Sequence, residues 1–195
     1  VSNILGICGS PVRGGSTELL IQETLKGAAS AGAAVEYVFL NDLQIMPCQA
    51  CGKSPEKGYC FFNDGMDIIY EKFNWCDGIV VGSPIYFDSV SAQTKLFIDR
   101  CNCFRAMNPS GPKSFIQRIN KKRRGGIILA GGERENYEYA RRVIGGFYIW
   151  GNIESLGLVT YAYDSWEKGT VASHHDILHQ AHNLGVLLAG REEIN

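Results

Sequence analysis

The residues best suited to chemistry are gathered in MPCQACGKSPEKGYCFF, residues 46–62, where Cys48, Cys51 and Cys60 stand within thirteen positions. Thiolates so spaced can hold a soft metal or an iron–sulfur cluster, or form a dithiol–disulfide couple. A [4Fe–4S] cluster takes four thiolates, and Ser54 stands where another would be wanted. A zinc site meets the same shortage of ligands. Cys101 and Cys103 could contribute only if the fold carried them to this loop. The expectation is that the loop holds no metal and packs its cysteines as small buried side chains. A cluster on Cys48, Cys51 and Cys60 is the alternative, and a Cys48–Cys51 redox pair is another.

A second chemical stretch is GSPVRGGST, residues 9–17. It nearly matches the nucleoside-triphosphate loop, but Gly15 replaces the lysine that would reach the β- and γ-phosphates. The dinucleotide fingerprint of three spaced glycines is absent as well. There remains a glycine- and hydroxyl-rich turn entering a helix. Its N–H groups and the hydroxyls of Ser10, Ser16 and Thr17 suit one phosphate monoester. Arg13 adds charge there or faces water. The structural alternative is a capped turn, with Ser16 or Thr17 as N-cap and Glu18 in the first turn.

Two more loops follow apolar runs. In GSPIYFDSVSAQTKLFIDR, residues 82–100, Ser83-Pro84 reads as an abrupt strand end. The apolar Ile85, Tyr86 and Phe87 that follow suit the cover of something flat. ILAGGERENYEYA, residues 128–140, sets Gly131-Gly132 at a strand's carboxyl end, where a backbone can approach a ligand closely.

The remaining candidates read as structural. His175, His179 and His182 share one helix face at the border of its apolar stripe, a surface or subunit contact rather than a metal site. Cys8 reads as core, and Trp150, Trp166, Tyr161 and Tyr163 as core or interface. The basic run Lys121–Arg124 reads as a solvated loop.

The elements that must position these groups alternate regularly. Strands are expected at 3–8, 34–40, 78–83, 125–132 and 154–163, and helices at 16–31, 65–75, 90–103, 135–148 and 171–190. Such alternation makes an α/β, doubly wound parallel sheet in an order such as 2-1-3-4-5 or 3-2-1-4-5. Ligands then bind outside the carboxyl ends of the strands. With 195 residues, 45% apolar and 20% charged, one domain over 1–195 is expected, with the cysteine loop at about 41–64. A net charge of −1 and the lack of an 18-residue apolar run give no reason to expect a nucleic-acid or membrane partner. The opening VSNILGICGS has no basic segment or cleavage site, and seven cysteines fit a reducing cytoplasmic setting.

The two glycine–serine loops together resemble the NAD(P)H-dependent FMN reductase family of the flavodoxin-like fold. PCQACGKSPEKGYCFFNDGMD resembles its iron–sulfur flavoprotein branch, whose four cysteines are spaced by two, two and several residues. Here Cys48, Cys51, Ser54 and Cys60 keep the spacing and lose the third thiolate. The resemblance covers roughly residues 3–103 and implies a five-stranded parallel sheet in the order 2-1-3-4-5 with helices on both faces. It implies FMN as cofactor, its phosphate at Ser10, Arg13, Gly15, Ser16 and Thr17. Pro84, Ile85, Tyr86 and Phe87 would border the isoalloxazine, with Ser89 nearby and Ala130, Gly131, Gly132 and Glu133 as a third contact. Asp88 stands where relatives often have glycine, and an acid beside the ring disfavours an anionic hydroquinone unless it faces elsewhere. NAD(P)H would deliver hydride, and electrons would pass to a quinone, flavin, oxygen, metal ion or carrier protein. The flavin carries the chemistry, so no catalytic side chain is expected. An electron-transfer module without nicotinamide turnover is the alternative, and assembly as a homodimer or homotetramer is implied. A nucleotide hydrolase or a phospho-receiver domain fits these motifs poorly.

Overall fold

The computed structural model describes residues 1–52, 58–107, 115–132, 136–163, 165 and 167–190. Five strands form one parallel sheet: β1 (Asn3–Cys8), β2 (Ala34–Phe39), β3 (Gly78–Tyr86), β7 (Arg123–Gly132) and β8 (Ile153–Tyr163), in the order β2-β1-β3-β7-β8. This is the expected order 2-1-3-4-5. Three short pieces lie outside that alternation. β4 (Ser89–Val90) folds back on β3, and β5 (Arg105–Met107) pairs with β6 (Phe115–Gln117) as a separate ribbon.

Side-chain alternation along the strands divides the core between two faces. Ile4, Cys8, Val80 and Ile128 pack beneath α1 (Ser16–Ser30) and α5 (His175–Leu188). Leu5, Ile7, Ile79, Val81 and Ile127 pack beneath α2 (Met66–Trp75), α3 (Ala92–Arg100) and α4 (Tyr137–Trp150). Burial on both faces explains why the central strands β1, β3 and β7 read as apolar runs rather than as alternating patterns. α1 and α5 touch backbone to backbone, since a methyl group on Gly185 would lie 1.8 Å from the Thr24 carbonyl oxygen. His182 lies 3.0 Å from Glu23 and ties the same two helices together.

Several expectations are corrected. β3 does not stop at Ser83-Pro84: Ser83 and Pro84 pair with Leu129 and Ala130 of β7, and the strand runs to Tyr86. The reason is that β1 pairs with β3 only as far as Gly82. Beyond it β3 has a single long-strand neighbour, a setting that tolerates proline. The stretch 90–103 is not one helix. α3 ends at Arg100, and a 3-10 turn follows over Cys101–Phe104. The basic run is not wholly solvated, because Arg123 opens β7, is 4% exposed and donates twice to the Phe73 carbonyl. Its guanidinium also stacks 3.9 Å from the centre of the Phe73 ring.

Candidate functional site

The carboxyl ends of β1, β3, β7 and β8 open into a cleft of 220 Å³. Its first wall is the turn after β1. Ser10 Oγ accepts from the Val12 N–H at 3.1 Å, the Gly15 N–H donates to the Val12 carbonyl at 3.2 Å, and Gly14 has φ +67°. α1 starts on Gly15 without any side-chain cap, so the expectation that Ser16 or Thr17 is the N-cap is corrected. Uncapped first-turn N–H groups with the helix's positive end behind them favour an anion. Thr17 is 3% exposed, and its methyl group packs toward Gly82.

This turn is clamped from behind. Ser91 Oγ donates to the Gly9 carbonyl at 2.6 Å, accepts the Thr94 N–H as the N-cap of α3, and lies 2.9 Å from Thr94 Oγ1. The Ser91 N–H in turn donates to Ser83 Oγ at 2.9 Å, and Ser83 Oγ donates to the Pro84 carbonyl at 2.7 Å. Ser83, Ser91 and Thr94 are all 0% exposed. A side chain at Gly9 would collide with this knot, its Cβ falling 1.7 Å from Thr94 Oγ1. The serines of the GSP and SAQ motifs thus hold two ligand loops in fixed relation.

The second wall is the end of β3. Pro84 and Tyr86 line the cleft beside Ala130 of β7. Burial pushes the Tyr86 phenol above its ordinary value, so it stands as a neutral hydroxyl. Tyr86 pairs with Ser89 across a two-residue turn in which Phe87 and Asp88 have φ +52° and +62°. Positive φ at both central residues is the geometry that tight hairpins favour. That geometry favours glycine, and Asp88 adopts it at a cost. Asp88 Oδ1 accepts the Asn136 N–H at 2.6 Å, at the start of α4.

Of the sequence-derived residues, Ser10, Gly15, Ser16, Thr17, Pro84, Tyr86 and Ala130 come together in this cleft. The others are placed differently. Arg13 pairs with Asp42, lies 3.6 Å from Glu18 and covers the Phe39 ring. Ile85 is 1% exposed and belongs to the core under α2, α3 and α4. Phe87 is 99% exposed at the hairpin tip. Gly131 and Gly132 end β7, with the Gly131 carbonyl accepting from Tyr137 Oη at 3.3 Å. Glu133 lies outside the described residues.

The third wall escaped sequence reading. Tyr163, at the end of β8, and Ser165, Glu167, Lys168, Gly169 and Thr170 after it close the cleft opposite the turn after β1. The rule that sends attention to strand ends applies equally to the fifth strand. What hid this segment was its lack of a recognisable motif.

The cysteines occupy a different place. Cys48, Cys51 and Cys60 border a cavity of 510 Å³ together with Cys103, Phe62 and Arg100. Arg100 is 2% exposed, pairs with Asp64 and donates to the Met46 carbonyl at 2.9 Å, which anchors both ends of the loop. Burial acts to raise the Asp64 carboxyl. The Arg100 hydrogen bond and the Met46 and Met66 N–H groups outweigh it and hold the carboxyl below its ordinary range. Burial pushes the Cys103 thiol up to about 11. Among the described residues no three His, Cys, Asp or Glu side chains converge as a metal site. Ser54 lies outside the described residues.

With this geometry in view, comparison with known proteins is decisive about kinship. The family model for NADPH-dependent FMN reductase matches residues 2–142. The chain belongs to that family. An iron–sulfur flavoprotein of Methanocaldococcus jannaschii is 41% identical over 102 residues, covering 52% of this chain and 53% of the relative. One from Methanosarcina thermophila is 38% identical over 105 residues, covering 54% and 55%. A second M. jannaschii iron–sulfur flavoprotein is 32% identical over 179 residues, covering 85% of each chain. The chain thus spans about half the length of the first two curated relatives it matches. Among solved structures, a flavone reductase gives TM-score 0.70 at 21% identity, over 96% of this chain and 62% of its own. An archaeal flavodoxin gives 0.57 at 11% identity, over 96% of both. These two likenesses establish the flavodoxin-like fold. No described helix is long and apolar enough to cross a membrane.

Proposed function

We propose that the chain, acting as a single domain over 1–195, binds FMN in the cleft at the strand ends. There it would work as an oxidoreductase taking hydride from NAD(P)H. The observation that carries this reading is the uncapped start of α1 meeting Ser10, Ser16 and Thr17 in one cleft with Pro84 and Tyr86. A phosphate monoester fits the N–H groups and hydroxyls at the first turn. Ser10, Gly15, Ser16 and Thr17 would hold it, the glycine allowing close approach. Pro84, Tyr86 and Ala130 would border a flat ring system, and Tyr86 offers a neutral hydroxyl to its edge. Bound there, FMN would supply both hydride and single-electron transfer.

Asp88 is engaged by the start of α4, which supports a ring environment without a free acid on that side. Phe87 projects fully from the hairpin, where it is available to a substrate or a second copy of the chain. Electrons would pass to a small-molecule or protein acceptor, and a homodimer or homotetramer is the assembly proposed. The second reading, an electron-transfer module without nicotinamide turnover, draws on the shared cavity of Cys48, Cys51, Cys60 and Cys103 and on the names of the relatives.

Anaerobic titration of the apoprotein with FMN, followed by NADPH addition, tests both readings. Tight FMN binding with rapid NADPH consumption is expected, and binding without consumption would favour the module. A Ser10→Ala/Thr17→Ala double variant should bind FMN at least about tenfold more weakly, the scale of one or two lost hydrogen bonds. Unchanged affinity would remove these hydroxyls from the phosphate site.

A further inference from the structure

The first turn of α1 lacks the cation that phosphate loops of nucleotide-binding proteins carry, since Gly15 occupies that position. Arg13, the nearest cation in sequence, is turned away toward Asp42 and Glu18. Yet a cation does stand at the turn, delivered from across the sheet. A methyl group added to Gly14 would meet Lys168 Cε at 2.8 Å and Nζ at 3.2 Å.

The turn already holds one carboxylate, since Glu18 Oε2 accepts the Gly14 N–H at 2.5 Å, but Glu18 faces Arg13 and makes no ion pair with Lys168. A helix N-terminus carries partial positive charge and repels an ammonium. Among the described residues Lys168 has no ion-pair partner that would account for its position. Nor is it there by chance of a loose loop. The Val171 N–H reaches Ser16 Oγ at 3.4 Å, and Gly169, at φ +71°, lies so near that a Cβ would fall 2.8 Å from the Gly14 carbonyl oxygen. The segment after β8 is therefore docked onto the turn after β1, with Lys168 over it. Thr17 adds an independent sign of a ligand. It is 3% exposed, lines the cleft, and its hydroxyl has no protein hydrogen-bond partner among the described residues.

We propose that Lys168 is the counter-charge for the ligand's phosphate and makes the cleft select the 5′-phosphorylated flavin over the unphosphorylated one. The inference rests on the FMN reading above and deepens it. The ammonium takes the place of the missing loop lysine, donating to the phosphate from the side opposite α1. The segment after β8 acts as a clasp whose charged end engages only a phosphorylated ligand.

The experiment is a paired titration of the apoprotein with FMN and with riboflavin, for wild type, Lys168→Met and Lys168→Arg. Lys168→Met is expected to weaken FMN by about tenfold or more, the scale of one charge-assisted hydrogen bond. Riboflavin affinity should be unchanged, and Lys168→Arg should keep most of the preference. The wild-type FMN affinity should also fall with added salt more steeply than that of the Met variant. Unchanged FMN affinity in Lys168→Met would overturn the assignment while leaving the flavin site standing. Equal weakening of both flavins would overturn it too, by reducing Lys168 to a structural role. A wild-type protein that binds neither flavin would bring down the FMN reading itself, and this inference with it.

Discussion

The turn after β1 and the cysteine loop after β2 are the two motif-rich regions of this chain, and they are held in different ways. Ser91, Thr94 and Ser83 reach the first from behind through hydrogen bonds buried away from water, so its backbone is fixed before any ligand arrives. The second is tied chiefly by Arg100, which pairs with Asp64 and donates to the Met46 carbonyl, and by Arg118, which donates to the Gly58 carbonyl; among the described residues its thiols border one cavity without converging on a metal site. A spaced motif marks candidate groups for a site. Functional groups become one when a separate, satisfied network sets their positions.

The sharpest way to break this comparison is to remove the guanidinium that ties the cysteine loop at both ends. Arg100→Leu leaves the largely enclosed Asp64 carboxylate without its guanidinium, and should cost about 3 kcal/mol in urea unfolding. FMN affinity should change little, since Arg100 lies outside the cleft. A large fall in FMN affinity would mean that the two regions are coupled. The same pair carries a pH signature. Asp64 is held below its ordinary value, so its contribution is full above the ordinary carboxylate range and is lost as pH falls below about 4. Stability of the wild type should drop over that interval, and Arg100→Leu should flatten the slope.

Cutting the clamp behind the other region gives the next largest effect. Ser91→Ala removes an N-cap and leaves the Gly9 carbonyl without its donor, for a loss of about 2 kcal/mol. FMN affinity should fall in parallel although Ser91 does not line the cleft, while labelling of Cys51 by a thiol reagent stays at the wild-type rate. Undiminished FMN binding would show that the turn holds its shape without the clamp.

The smallest effect concerns the hairpin between the two. Phe87 at φ +52° adopts a conformation that costs an aromatic residue about 1 kcal/mol. Phe87→Gly should therefore raise the melting temperature by a few degrees. If turnover with an acceptor falls in the same variant, Phe87 is retained for contact rather than for folding.

Much of the fold was legible because the central strands β1, β3 and β7 are buried on both faces. Residues 3–8, 78–83 and 125–132 read as apolar runs, and the alternation with helices then admits few topologies. What misled was local punctuation. Ser83-Pro84 reads as a stop, but the early end of β1 lets β3 continue. The basic run reads as solvent-facing, but the Phe73 carbonyl and ring receive Arg123. The site was half legible. Ser10, Gly15, Ser16, Thr17, Pro84, Tyr86 and Ala130 announce themselves through glycine, hydroxyl and aromatic placement at strand ends, whereas Lys168 carries no local sign of its role.

The sequence by itself determined the α/β architecture, the family and the identity of the first two walls of the cleft. The architecture and the cleft walls follow from hydrophobic period and turn chemistry, which act over a few residues, and the family from the resemblance of whole motifs. Only the tertiary structure decided that Arg13 turns away, that Ile85 belongs to the core and that Cys103 joins the cysteine loop's cavity. It also decided that Lys168, more than 150 positions along the chain, stands over Gly14. Charge and burial act through space, and the partners they select are brought together by the sheet rather than by proximity along the chain.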